Sequence, residues 1–168
     1  MNSNSGMDKN SALDISECQS ALEQHNQFLR KIENSGNEEE IDTANKQSVM
    51  GGILLEYFQD GSKDPKKAYK ALQDIDNGEQ IDETTDINFL LEYNCGVFAY
   101  LSQMYDNAFD HFVKILKYNE DAELFLVIKS AFICLQILVD NQQVESSKIM
   151  IQKLEELQPC LEKLASLK

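Results

Sequence analysis

The chain has 168 residues and a formal charge of −14, from 29 acids against 15 bases, of which only Arg30 is an arginine. That balance makes a poor binder of phosphate backbones or anionic membrane, so neither nucleic acid nor membrane is expected as a partner; basic protein surfaces are. An apolar share of 42% suffices for a core, and two prolines with seven glycines argue against a loop-rich β protein.

The four cysteines, Cys18, Cys95, Cys134 and Cys160, are widely spaced and have neither metal nor redox spacing. They read as free thiols of a reducing compartment. The first ten residues lack the apolar stretch of a secretion signal, and no apolar run approaches the roughly 20 residues that span a bilayer. A cytoplasmic and nuclear location is expected.

Residues 1–12 are rich in Asn, Ser and Gly and are expected to be disordered. From 13 to about 34 apolar residues recur at helical spacing (Ile15, Cys18, Leu22, Phe28, Leu29, Ile32), with Asp14 or Ser16 as a cap. The acidic stretch 34–40 reads as an exposed loop. A hairpin over about 41–75 follows. Its first helix holds Ala44, Val49, Ile53, Leu54, Tyr57 and Phe58, with Gly51 and Gly52 in its middle. A mid-helix glycine costs about 1 kcal/mol relative to Ala, so the pair predicts a close helix contact. Pro65 suits the first turn of the next helix, with Asp64 or Ser62 as its cap. That helix carries Ala68, Tyr69, Ala71, Leu72 and Ile75. A second acidic loop covers 76–86.

The second hairpin, 87–117, has the clearest pattern. Leu90, Tyr93, Val97 and Leu101 form one apolar row, and Cys95, Phe98 and Ser102 form another. Tyr105, Ala108, Phe109, Phe112, Ile115 and Leu116 then recur at steps of three and four. Gly96, Ala99 and Ala108 are small enough to let two antiparallel helices approach closely. Gly96 followed by Tyr105, Ala108 and Phe112 matches part of the tetratricopeptide pattern. Glu92 stands where that pattern has a bulky residue, and Glu120 where it has proline. A third hairpin covers 121–157. Its first helix is apolar on more than one face, and Ser147 stands 39 residues after Ala108. Pro159 is expected to end the partner helix, with 160–168 forming one more short helix.

These patterns predict an all-α fold of antiparallel helical hairpins stacked as a tetratricopeptide-like α-solenoid, in one domain over 13–168. Such a stack has a concave face lined by the first helix of each pair. Tyr57, Tyr93, Asn94 and Tyr100 are its candidate protein-binding residues. No set of residues points to catalysis, a cofactor or a metal: HExxH, CxxC, GxSxG and a phosphate-cradling glycine loop are all missing from the sequence. His25 and His111 read as surface side chains.

The segments ALEQHNQFLRKI (21–32), SVMGGILLEYFQDG (48–61), KKAYKALQDI (66–75), LEYNCGVFAYLSQMYDNAFDHFVKIL (91–116) and AFICLQILVDNQQVESSKIMIQKLEEL (131–157) follow one another in an order that resembles the N-terminal part of the subunit 10 family of the CCR-NOT deadenylase complex. The resemblance covers about residues 20–157. It implies a non-catalytic scaffold that pairs with subunit 11 and docks on the large Not scaffold, in a complex that shortens poly(A) tails and represses mRNA. The chain stops near where family members continue for further repeats, so no interface residue is carried over. The rival expectation is a co-chaperone clamping an acidic C-terminal peptide, which would rely on Asn94 with Lys46 and Lys129.

Overall fold

The computed structural model describes residues 15–32, 38–59, 63–75, 86–118 and 122–165. The fold is all-α. Among the described residues there are seven helices and no strand: α1 (Ile15–Ile32), α2 (Glu38–Gln59), α3 (Pro65–Ile75), α4 (Asp86–Leu101), α5 (Tyr105–Lys117), α6 (Leu124–Asp140) and α7 (Val144–Ala165). The chain divides into two compact units, Met1–Lys63 and Asp64–Lys168.

In the first unit α1 packs on α2. The glycine pair contributes through Gly51 alone. A Cβ there would stand 3.1 Å from Leu22 Cδ1 of α1, whereas one on Gly52 would meet nothing within 4 Å. His25, expected at the surface, is half-buried, and its Nε2–H donates to the Ala44 carbonyl at 2.9 Å. Ser48 donates to Asn26 Oδ1 across the same pair. The acidic stretch read as a loop already belongs to α2 from Glu38 onward.

The second unit runs from α3 to α7, with α3 packed on α4, α4 on α5, α5 on α6 and α6 on α7. Each of the two helices read from 41–75 is described within its own unit: α2 pairs with α1, and α3 pairs with α4. Pro65 opens α3 as its fixed φ favours, and Asp64 Oδ1 accepts from the amides of Lys66 and Lys67 at 3.0 and 3.3 Å.

Within α4 and α5, Glu92 meets His111 and Lys114, Tyr93 meets Phe112, and Tyr100 meets Tyr105. The partner's number falls as the α4 number rises, so the helices are antiparallel. At the crossing a Cβ on Gly96 would stand 2.8 Å from the Phe112 ring. Ala99, Ala108, Phe112 and Ile115 are fully buried around it. Of the two rows read on α4, the Cys95–Phe98–Ser102 row is buried, while Leu90, Tyr93 and Val97 are half-buried and Leu101 is exposed. The small residues decide this, because the side of α4 carrying Gly96 and Ala99 can lie closest to its neighbours.

The two tight turns of this unit are copies of one another. After α4, Gln103 takes a left-handed φ of 62°; its amide bonds the Tyr100 carbonyl and the next amide, of Met104, bonds the Ala99 carbonyl. After α6, Gln142 takes φ 57°; its amide bonds the Val139 carbonyl and the amide of Gln143 bonds the Leu138 carbonyl. Both are Schellman closures with glutamine where glycine is usual. Gln142 lies 39 residues after Gln103, as Ser147 lies after Ala108. Ser147 is buried, and its hydroxyl donates to the Gln143 carbonyl at 2.8 Å. Lys153 of α7 reaches back to donate to the Leu116 carbonyl at the end of α5.

Pro159 does not end α7, which continues to Ala165. Proline lacks the amide that would bond the Glu155 carbonyl, and this local loss is tolerated without breaking the helix. The expectations for residues 1–12, for the loop up to residue 85, for caps at Asp14 and Ser62, and for residues 166–168 lie outside the described residues.

Replacing Gly96 by Ala should gain about 1 kcal/mol of helix propensity and lose about 1–3 kcal/mol to overpacking against Phe112, a net loss. Ala108→Leu should lose stability by the same mechanism. Urea denaturation measures both; a Gly96→Ala chain as stable as its parent would disprove the tight crossing.

Candidate functional site

A groove opens between α6 and α7, with a volume of about 390 Å³. Ile128, Phe132 and Leu135 form one wall, and Ile151, Leu154 and Glu155 form the other. Phe132 is 57% exposed and Ile151 44%. Phe125, Phe132 and Val139 recur every seven residues and are all exposed, so an apolar stripe runs along α6 beside the groove. Lys129 is held over the Phe125 ring, its Nζ 4.0 Å from the centroid.

The groove has a counterpart 39 residues earlier. Phe89, Tyr93, Gly96, Phe112, Ile115 and Leu116 correspond in turn to Ile128, Phe132, Leu135, Ile151, Leu154 and Glu155. In the earlier pair Phe89, Gly96, Phe112, Ile115 and Leu116 are buried, and Tyr93 is half-buried. Helix α6 packs on both α4 and α5 there, with Lys129 Nζ 5.9 Å from the Tyr93 ring centroid. The later pair therefore has an open face where the earlier pair is covered by a helix.

A second constellation joins α3, α4 and α5. Gln73 Nε2 donates to the Tyr69 hydroxyl at 3.0 Å, and Tyr69 Oη lies 3.0 Å from His111 Nε2. His111 Nδ1 lies 2.6 Å from Glu92 Oε2, and Lys114 donates to Glu92 Oε1 at 2.7 Å. With Gln73 donating to Tyr69, the phenol hydrogen is available to His111 Nε2. The ring proton then sits on Nδ1, facing the carboxylate. His111 is thus half-buried, not a surface side chain, and Glu92 takes polar partners from α5. Burial alone would raise the Glu92 carboxyl, but the hydrogen bonds from His111 and Lys114 outweigh it and hold it below its ordinary 4.5. Burial, chiefly, pushes the Tyr69 phenol upward. A histidine between a hydroxyl and a carboxylate has the parts of a general-base relay. Here its Nε2 faces a phenol held in its protonated form, and Lys114 neutralises the carboxylate. What this geometry does chemically is tie three helices together.

Of the four tyrosine and asparagine candidates, Tyr57 lies on α2 and Tyr93, Asn94 and Tyr100 lie on α4. Tyr57 is half-buried on α2 of the first unit, edge-on to Phe58 at 5.5 Å. Tyr93 stands edge-on to Phe112 at 5.8 Å, and burial raises its phenol. Tyr100 stands edge-on to Tyr105 at 5.4 Å. The Asn94 amide donates to the Leu90 carbonyl of its own helix at 2.8 Å. Tyr93 and Tyr100 share the side of α4 turned toward α5. Neither groove wall was among the sequence candidates. The seven-residue spacing of Phe125, Phe132 and Val139 was the available signal, hidden because α6 is apolar nearly all round. Cys95 and Cys134 are buried cysteines outside any disulfide, and burial pushes Cys134 up to about 12, so it stays protonated. Among the described residues no helix is long and apolar enough to cross a membrane, and no group of three His, Cys, Asp or Glu could hold a metal ion.

The relay predicts a pH dependence. A carboxylate held below its ordinary value binds fewer protons folded than unfolded. Its contribution is complete above about pH 4.5 and fades as pH falls through the lower folded value. Glu92→Gln should therefore cost about 1–3 kcal/mol near pH 7, and the gap to the parent should close toward about pH 3. Urea denaturation at both pH values measures it; an equal gap at both would show that Glu92 is not held by charge.

Searches of family models, curated proteins and solved structures found no match to this chain.

Proposed function

We propose that the chain is a non-catalytic scaffold or adaptor whose helices stack as a tetratricopeptide-like α-solenoid and whose work is holding other proteins. The observation that carries this reading is the open apolar groove between α6 and α7, beside the exposed Phe125–Phe132–Val139 stripe. Exposed apolar surface of this kind marks sites of protein association. The copied turns and the 39-residue offset support the repeat stack. The sequence resemblance supports the CCR-NOT subunit 10 family, with the large Not scaffold and subunit 11 as partners, a role in poly(A) shortening and translational repression, and residence in cytoplasm and nucleus. Catalysis would belong to other subunits.

The co-chaperone alternative is less well supported. Its clamp needs lysines free to hold a peptide carboxylate, but Lys46 is paired with Asp42 at 2.7 Å and Lys129 lies over aromatic rings.

Affinity purification of the tagged chain from its source cell tests the proposal. Recovery of a Not scaffold protein together with a deadenylase is expected, and the chain alone should leave a poly(A) substrate intact. Firm binding of an acidic C-terminal peptide, with no Not protein recovered, would overturn it in favour of the co-chaperone.

A further inference from the structure

We propose that the groove between α6 and α7 receives an amphipathic α-helix of a partner protein, apolar along one stripe and carrying Lys or Arg along the edge that meets Glu155 and Glu162. This deepens the scaffold reading and rests on it.

The shape of the occupant follows from the internal copy. In the earlier pair a helix, α6, packs on both α4 and α5 and brings Lys129 over the ring of Tyr93, the counterpart of Phe132. Phe112 is fully buried there, and its counterpart Ile151 is 44% exposed; Leu116 is 6% exposed, and its counterpart is the exposed Glu155. A surface built on the same plan, left open, fits an element of the same kind.

The chemistry of the occupant follows from what has changed between the copies. Glu155 replaces an apolar leucine on the α7 wall. Glu162 lies seven residues on, along the same side of α7, and accepts from Gln158 at 2.9 Å. Both glutamates are exposed. The nearest lysine on that side, Lys148, is paired with Glu145 at 2.8 Å. An incoming helix therefore meets apolar side chains on both walls, with Lys129 drawn over the Phe125 ring on the α6 side and two carboxylates along the α7 edge, and a basic flank complements that α7 edge. A second copy of this chain fits poorly, because two molecules of charge −14 would repel.

Full-length protein is titrated with a labelled synthetic helix of about 20 residues, leucine on one stripe and lysine on the flank, followed by fluorescence anisotropy. A matching helix with glutamate in place of lysine and a scrambled helix serve as controls. The lysine-flanked helix should bind, and the glutamate-flanked helix about tenfold or more weaker. Phe132→Asp and, on the opposite wall, Ile151→Asp should each weaken binding about tenfold while leaving the melting curve unchanged, since both side chains are exposed. Glu155→Lys combined with Glu162→Lys should reverse the preference between the two helices. Equal binding of both helices, or full binding by both wall variants, would overturn the proposal. So would a dimer in sedimentation that Phe132→Asp converts to monomer, which would assign the groove to a second copy. If a Not scaffold protein is recovered equally well by Phe132→Asp and its parent, the groove assignment fails and the scaffold reading stands; if the parent recovers none, that reading fails.

Discussion

The contact between Gly96 and the Phe112 ring sets the spacing of the second unit. A single absent methyl lets α5 lie against α4 with the ring filling the space, and the buried alanines at 99 and 108 extend the close approach to either side. Complete burial of a phenylalanine is worth about 1.5–3 kcal/mol, more than the roughly 1 kcal/mol propensity penalty of one glycine in a helix. Glycine in the middle of a helix is therefore a gain here. With the pair drawn together, Glu92 comes within reach of His111 and Lys114, and Tyr69 of α3 reaches His111 from the far side. The polar relay depends on the apolar crossing.

The same plan, run again 39 residues later, gives a different result. Its turn closes by the same hydrogen bonds, with glutamine again in the left-handed position, and Ser147 stands buried where Ala108 stood. The crossing residues are no longer glycine and phenylalanine but Leu135 and Ile151. These side chains line a groove in place of a sealed contact. The difference between a sealed core and an open groove lies here in which side chains a shared backbone plan carries.

Much of this was legible in the sequence. The 3.6-residue periodicity located the helices, and Pro65 with Asp64 fixed the start of α3. Gly96, Ala99 and Ala108 marked the tight crossing by their size and spacing. Other features were hidden for physical reasons. Periodicity says which residues share a face but not which neighbour that face meets, so the pairing of α2 with α1 and of α3 with α4 had no signal in the sequence. A lone histidine carries no pattern, and both His25 and His111 gained half-buried roles from partners 19 and 42 residues away. Helix α6 is apolar on nearly every side, so its exposed stripe could not be separated from its buried ones by hydrophobicity. Pro159 misled because the rule that proline ends a helix is a statement about cost, and α7 tolerates that cost.

The arrangement of the second unit rests on the Gly96–Phe112 contact, and nuclear magnetic resonance observes that contact directly. In a nuclear Overhauser spectrum of the full chain, the Gly96 α-protons should show strong cross-peaks to the Phe112 ring protons, and their resonances should be displaced by the ring current. Gly96 α-protons at ordinary shifts, without cross-peaks to that ring, would mean that the helices do not cross where their small residues lie.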